Sequence, residues 1–217
     1  MFIGHYAVAM AAKRAAPRAS LGTLFAAASL ADLLWPVFLL LGWEHAHIVP
    51  GPNPFLTLWL DSFPISHSLV TLIGWGALFG LLYRWRTGDG RAAVVIGLVV
   101  VSHWVLDFVT HRPDMPLYPG GTPLGLGLWN SVAGTLVTEG VMFLAGVWLY
   151  ATATRPRDRV GRYAFWGLIA FLVVSYIGSL YSPPPSAMRA LALGGIAFGW
   201  LFVAWAAWGD RHRDNVT

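Results

Sequence analysis

The chain has 217 residues, of which 57 % are apolar and only 11 % charged, with a net charge of +4, 12 Trp and no Cys. A charged share less than half of the ~25 % usual in water-soluble domains excludes an ordinary soluble domain, and the lack of thiols excludes disulfides and thiolate metal sites, leaving nitrogen and oxygen donors for any metal. The positive excess sits in short Arg clusters between apolar runs, the pattern of cytoplasmic loops, so no nucleic-acid partner is expected.

Residues 2–14 are apolar up to Lys13 and Arg14. Because the basic pair follows the apolar stretch instead of preceding it, the segment does not read as a cleaved signal peptide, and Met1 is expected in the mature chain. As a helix it would reach about 20 Å, too short to cross a bilayer. Two readings stand: a half-helix whose start is sunk into the protein, which His5 favours, or an amphipathic helix lying on the membrane surface.

The first predicted span, 19–42, contains Asp32 and Pro36. Proline is tolerated in a membrane helix when neighbours satisfy the freed backbone, while Asp32 asks for a protein or water partner. Five further apolar runs, 65–83, 92–110, 131–151, 163–181 and 187–208, are long enough to cross the hydrocarbon layer. Lys13, Arg14 and Arg18 precede the first span, Arg84, Arg86 and Arg91 join the second to the third, Arg155, Arg157, Arg159 and Arg162 join the fourth to the fifth, and Arg211 and Arg213 follow the last. The alternate connections are nearly free of Lys and Arg, so the positive-inside rule puts the basic flanks in the cytoplasm. The expectation is an all-α, polytopic membrane helix bundle of six transmembrane helices plus a short N-terminal half-helix. It is read as a single transmembrane domain over 1–217. Residues 1–150 form its core, and 160–208 supply two additional packing spans through which an oligomer can form.

Ionisable side chains within hydrocarbon cost about 3 kcal/mol or more each, so they need partners. Counted from the nearest cytoplasmic Arg at 1.5 Å per residue, Asp32, His67, His103, Asp107 and Glu139 fall at about 18–26 Å, a single layer towards the outer face. His103 and Asp107 are four residues apart on one helix face, and His111 continues the stripe. An imidazole and a carboxylate so placed can share a metal, or the carboxylate can orient an imidazole that binds it. His5, Asp32, His67, His103 and Asp107 are the candidate metal ligands. Glu139 is a ligand, a general base or a supporting partner, and Asp32 is either the base or a ligand. His111 and Asp114 at the span exit are site residues or ordinary outward-facing polar groups, and His111 and Arg112 are candidates for contacting substrate. Glu44, His45 and His47 beside Trp43 read as an interfacial anchor in an outward loop, and His212 belongs to a solvated basic tail.

Gly4-His5, Leu30-Ala31-Asp32 followed by Pro36, Ser66-His67-Ser68, and His103-Trp104-Val105-Leu106-Asp107-Phe108-Val109-Thr110 with Met115-Pro116-Leu117-Tyr118-Pro119 behind it resemble the membrane-bound metal-dependent hydrolases. This is a bacterial inner-membrane family of the LexA-regulated type, and the likeness covers about residues 1–150. Family members carry an Asp-x-Asp pair and a following His where this chain has Asp32-Leu33-Leu34-Trp35, and an Arg-Gly-aromatic-Thr run where it has Phe63-Pro64-Ile65-Ser66. The order of ligands is also similar to that of zinc-dependent phospholipase C, which implies hydrolysis at phosphorus.

The resemblance implies a membrane-embedded, metal-dependent hydrolase of an amphiphilic, phosphoester-containing lipid in the bacterial inner membrane. Zinc would be held by His67, His103 and Asp107 with Asp32 or His5, and Glu139 or Asp32 would serve the water as base. Two other readings use the same residues: a proton-coupled or metal-ion transporter, and a non-catalytic membrane protein with a degenerate metal site, which fits the missing Asp-x-Asp.

Overall fold

A computed structural model describes residues 1–49, 51–183 and 185–216. The predicted Pro-rich turn at 182–186 includes Pro184, which lies outside the described residues. Helix α1 (Ile3–Ala12) is followed by α2 (Leu21–Ala28) and α3 (Leu30–Leu40), which replace the single first span. The two meet at 55°. Ser29, buried at the junction, turns its hydroxyl back onto the Phe25 carbonyl at 2.7 Å, a bond that competes with the backbone ladder and bends helices.

Strands β1 (His45–Ile48) and β2 (Leu58–Ser62) form an antiparallel hairpin across the next connection. The predicted span 65–83 comes in two pieces and ends later: a single turn α4 (Pro64–His67), then α5 (Leu69–Thr87), started by Ser68 accepting from Thr71 N. Helix α6 (Gly90–Thr110) follows after a left-handed Gly88. Two short pairings complete the connections: β3 (Met115–Pro116) with β4 (Pro123–Leu124), and β5 (Thr154–Pro156) with β6 (Arg213–Asn215). The remaining helices are α7 (Val132–Ala153), α8 (Arg159–Tyr181) and α9 (Met188–Asp210).

Among the described residues, α6, α7, α8 and α9 are long and apolar enough to cross a membrane, and the bent pair α2–α3 makes a fifth if it is one span. Helix α5 has the length, at 19 residues, but carries Trp75, Tyr83, Arg84 and Arg86 and falls outside that set. Composition therefore supports four to five crossings where six were predicted. The long helices present Val94, Leu98, Leu144 and Val174 outward, each more than 60 % exposed, an apolar surface that a soluble fold would hide.

Helix α1 lies inside this bundle and not on its surface: Ile3, His5, Tyr6, Ala9 and Met10 are buried, and it packs against α7, α2 and α6. Contact with α7 is close because Gly146 faces Ala7, where an added Cβ would sit 2.6 Å from the Ala7 carbonyl oxygen. Helices α5 and α6 approach in the same manner. A Cβ on Gly76 would stand 2.8 Å from the Gly97 carbonyl oxygen, the small-residue seam typical of helices that pack in lipid. Helix α9 packs on α2 and α3 as well as on α8.

At the end of the bundle where the basic clusters gather, Asp210 is buried. It accepts from Lys13 Nζ at 2.8 Å, Leu21 N at 3.0 Å and the Tyr150 hydroxyl at 2.6 Å. Lys13, expected only as a basic flank of the first span, is thus buried against an acid from the far end of the chain.

Candidate metal centre

The C-terminal third of α6 supplies the centre. One turn apart on its inner face, His103 and Asp107 are both buried, and His103 Nε2 lies 3.1 Å from Asp107 Oδ2. The bend between α2 and α3 brings two further groups in. Ala28 offers its carbonyl oxygen to His103 Nδ1 at 2.8 Å, and Asp32, one turn beyond the bend, brings Oδ1 to 3.8 Å from His103 Nε2. The break before α5 places His67, whose Nε2 is 3.6 Å from Asp32 Oδ1 and 3.9 Å from Asp107 Oδ2.

Hydrogen bonds on the far side of each ring fix which nitrogen faces inward. A carbonyl only accepts, so His103 donates from Nδ1, and in the neutral ring its Nε2 carries the free lone pair. Ser66 donates to Glu44 Oε2 at 2.6 Å and therefore accepts from His67 Nδ1 at 2.7 Å. His111 donates from Nδ1 to Asp114 Oδ1 at 2.9 Å and turns Nε2 towards Asp107 Oδ2 at 3.8 Å. With the rings neutral, three imidazoles thus present lone pairs to carboxylate oxygens, acceptor facing acceptor. His103 Nε2 is buried without a hydrogen-bond partner, its approach to Asp107 being close but misaligned for an N–H bond. Such a set is stable when a cation lies between its members.

The spacing fits one. Ligands at the zinc–nitrogen and zinc–oxygen distances of a tetrahedral site are separated by about 3.3 Å. Each imidazole Nε2 of His67 and His103 lies 3.1–3.9 Å from Asp32 Oδ1 and from Asp107 Oδ2. Two overlapping triads, His5–His103–Asp107 and Asp32–His67–His103, each bring ligand atoms within 4.8 Å of one another. His5 enters from α1, stacked on His103 with ring centroids 3.8 Å apart and Nε2 3.1 Å from Asp107 Oδ1. The Met1 α-amino group is 2.6 Å from the same oxygen.

The other predicted residues are placed as follows. Glu139 Oε2 accepts from Phe2 N at 2.8 Å and Gly4 N at 3.1 Å, so it binds the unpaired backbone donors at the start of α1. Its Oε1 is buried without a partner. His111 is buried against Trp129, ring centroids 4.1 Å apart, and does not face outward. Arg112 donates from Nη2 to the Leu58 carbonyl at 2.6 Å and lies over Trp59. It lines an adjoining cavity of about 420 Å³ and not the one of about 190 Å³ over the cluster, which Asp32, His67, Asp107, His111 and Trp129 line. Glu44 departs from the interfacial role expected of it. It is buried and accepts from Ile65 N, Ser66 N and Ser66 Oγ, while His45 and His47 stay exposed on β1. The adjacency of Ser66 to His67 was the available signal, but nothing in the spacing of Glu44 pointed to it.

Comparison of the chain with protein-family models, curated proteins and solved structures gives no match. Geometry alone therefore defines the site: a buried His/Asp cluster, capable of coordinating a divalent metal ion, inside a bundle of apolar helices.

Proposed function

We propose that this protein is a membrane-embedded, metal-dependent hydrolase acting on a phosphoester-containing lipid. The observation that carries the reading is the set of inward lone pairs on His67, His103 and His111, each locked by a bond at Nδ1 and grouped around Asp107 beneath a cavity of about 190 Å³. Zinc suits two imidazoles and a carboxylate, with His67, His103 and Asp107 as ligands and the fourth position left to water beside Asp32, while His5 belongs to the second triad. A divalent ion bound there supplies Lewis acidity, acidifying water and polarising a phosphoryl oxygen.

The side chains supply the rest. Asp32, half-exposed to the cavity, takes the proton as water adds to phosphorus. The P–O ester bond breaks, and the departing alcohol oxygen collects that proton from Asp32, leaving a phosphomonoester and an alcohol and restoring the carboxylate. Trp129 and Phe63 wall the cavity from bulk water. Arg112, one cavity away, is in range of a headgroup that extends past Asp114.

The likeness of the His103–Thr110 stretch to the inner-membrane hydrolase family supports a bacterial plasma-membrane location. We count α5 as a sixth crossing, since it runs beside α6 along a glycine seam. Basic flanks on the cytoplasmic face follow from the clustering of Lys13, Arg14 and Arg213 at one end, tied to Asp210, Thr152 and Thr154.

The test is elemental analysis of the purified protein together with phosphate-ester turnover on a panel of phospholipids. The wild type is expected to carry a divalent metal and to cleave at least one lipid, and His103→Ala is expected to lose both. A metal-free wild type, or equal metal content in His103→Ala, would defeat the reading.

A further inference from the structure

A larger cavity, of about 750 Å³, shares Asp32 and Trp35 with the small one over the cluster. It lies between α3, α8 and α9, with Tyr6 of α1 and the preceding Phe2 also in its wall. Along α9 it extends from Leu191 to Phe202, about 17 Å at 1.5 Å per residue. Its size is that of a ligand site, typically about 300–1,000 Å³. The wall offers almost no polarity. Ser179 and Ser182 turn their hydroxyls back onto the Tyr176 and Gly178 carbonyls at 2.7 and 2.9 Å. Trp35, which lines both cavities, has its Nε1 donor buried without an acceptor.

A long apolar groove adjoins a polar, metal-competent pocket, and Asp32 and Trp35 line both. That is the shape of a lipid whose phosphate ends at the cluster. Resting on the hydrolase reading for the identity of the headgroup site, we propose that the groove between α3, α8 and α9 holds an acyl chain of a glycerophospholipid, with its ester region at Trp35 and its phosphate at Asp32. A tail gains little free energy on leaving a bilayer for an equally apolar groove. The groove therefore acts by orienting the phosphate and selecting chain length, not by raising affinity. Helices α8 and α9 become part of the substrate site, a role beyond packing.

Gly178 and Gly194 line the groove, and a Cβ at either meets nothing within 4 Å, so Gly178→Leu and Gly194→Phe fill it without striking backbone. The experiment uses the full chain in nanodiscs with phosphatidylglycerol bearing a diazirine in mid-acyl chain. Labelled peptides are mapped, with the outward Val94–Leu98 face as reference for bulk lipid. Labelling concentrated on Leu191–Phe202 of the wild type is expected. It should fall about tenfold in each variant, the scale of about 1.4 kcal/mol of steric exclusion, with metal content and the reference labelling unchanged. Groove labelling no higher than the reference, or insensitive to both variants, overturns the proposal. Displacement by a polyprenyl phosphate but not by unlabelled phosphatidylglycerol overturns the glycerophospholipid assignment. A wild type without metal or turnover defeats the hydrolase reading and leaves the labelling pattern to decide the groove.

Discussion

Asp107 is the residue on which the centre converges, because its two oxygens face different neighbours. Oδ1 meets His5 and the Met1 amine, while Oδ2 meets His67, His103 and His111. Orientation of the imidazoles comes from outside the cluster, and Ser66 is the clearest case. Removing its hydroxyl in Ser66→Ala frees the His67 ring and leaves Glu44 only its backbone donors, so metal affinity should weaken by about 10–100-fold, as read by competition with a chelating dye. Glu139 is tested by a pair of variants. Gln keeps an oxygen for Phe2 N and Gly4 N, so Glu139→Gln should hold its melting temperature and its metal. Glu139→Leu leaves two buried donors unpaired and should lose about 1–3 kcal/mol for each. Loss of turnover in Glu139→Gln with stability intact would instead make Glu139 the base.

Breaks in helices, more than helices, build the site at the scale of elements. The bend at Ser29 turns Ala28 and Asp32 towards α6, and the interruption at Ser68 lets His67 stand at the end of a one-turn helix. Helix α1 then has to reach the middle of the bundle, which it does by lying against Gly146. A leucine there would overlap the Ala7 backbone. Gly146→Leu is expected to displace α1, with a stability loss of about 1–3 kcal/mol or more and loss of the His5 contact. Parallel melting and metal analysis would check this; unchanged values in both would mean that α1 is not held as described.

For the whole molecule, the polar centre at one depth is matched by a second buried polar knot at the basic end, where Lys13, Asp210, Tyr150 and Leu21 N join α1, α2, α7 and α9. Lys13→Met leaves Asp210 without its cation and should destabilise the protein by about 3–5 kcal/mol, while Lys13→Met with Asp210→Asn should recover part of that. Because the knot lies at the opposite end of α1 from His5, thermal melting should change with metal content preserved at low temperature. A drop in metal content equal to that of His103→Ala would show that the two ends are not independent.

Local regularities were legible before any coordinates. Apolar runs of spanning length, the His103–Asp107 pairing on one helix face, and the common depth of Asp32, His67 and Asp107 each follow from helical rise and the aversion of charge to hydrocarbon. What the sequence could not carry was set by groups without a periodic signature. The Ala28 carbonyl is a backbone atom exposed by a bend, Glu44 reaches Ser66 across a loop, and Asp210 meets Lys13 from the far end of the chain. Hydropathy also cannot tell a continuous span from one broken at Ser29 or Ser68, because composition is blind to where backbone bonds are interrupted. Depth along each helix was a property of the sequence. Which faces turn together, and hence that a groove opens from the cluster between α3, α8 and α9, was decided by packing alone.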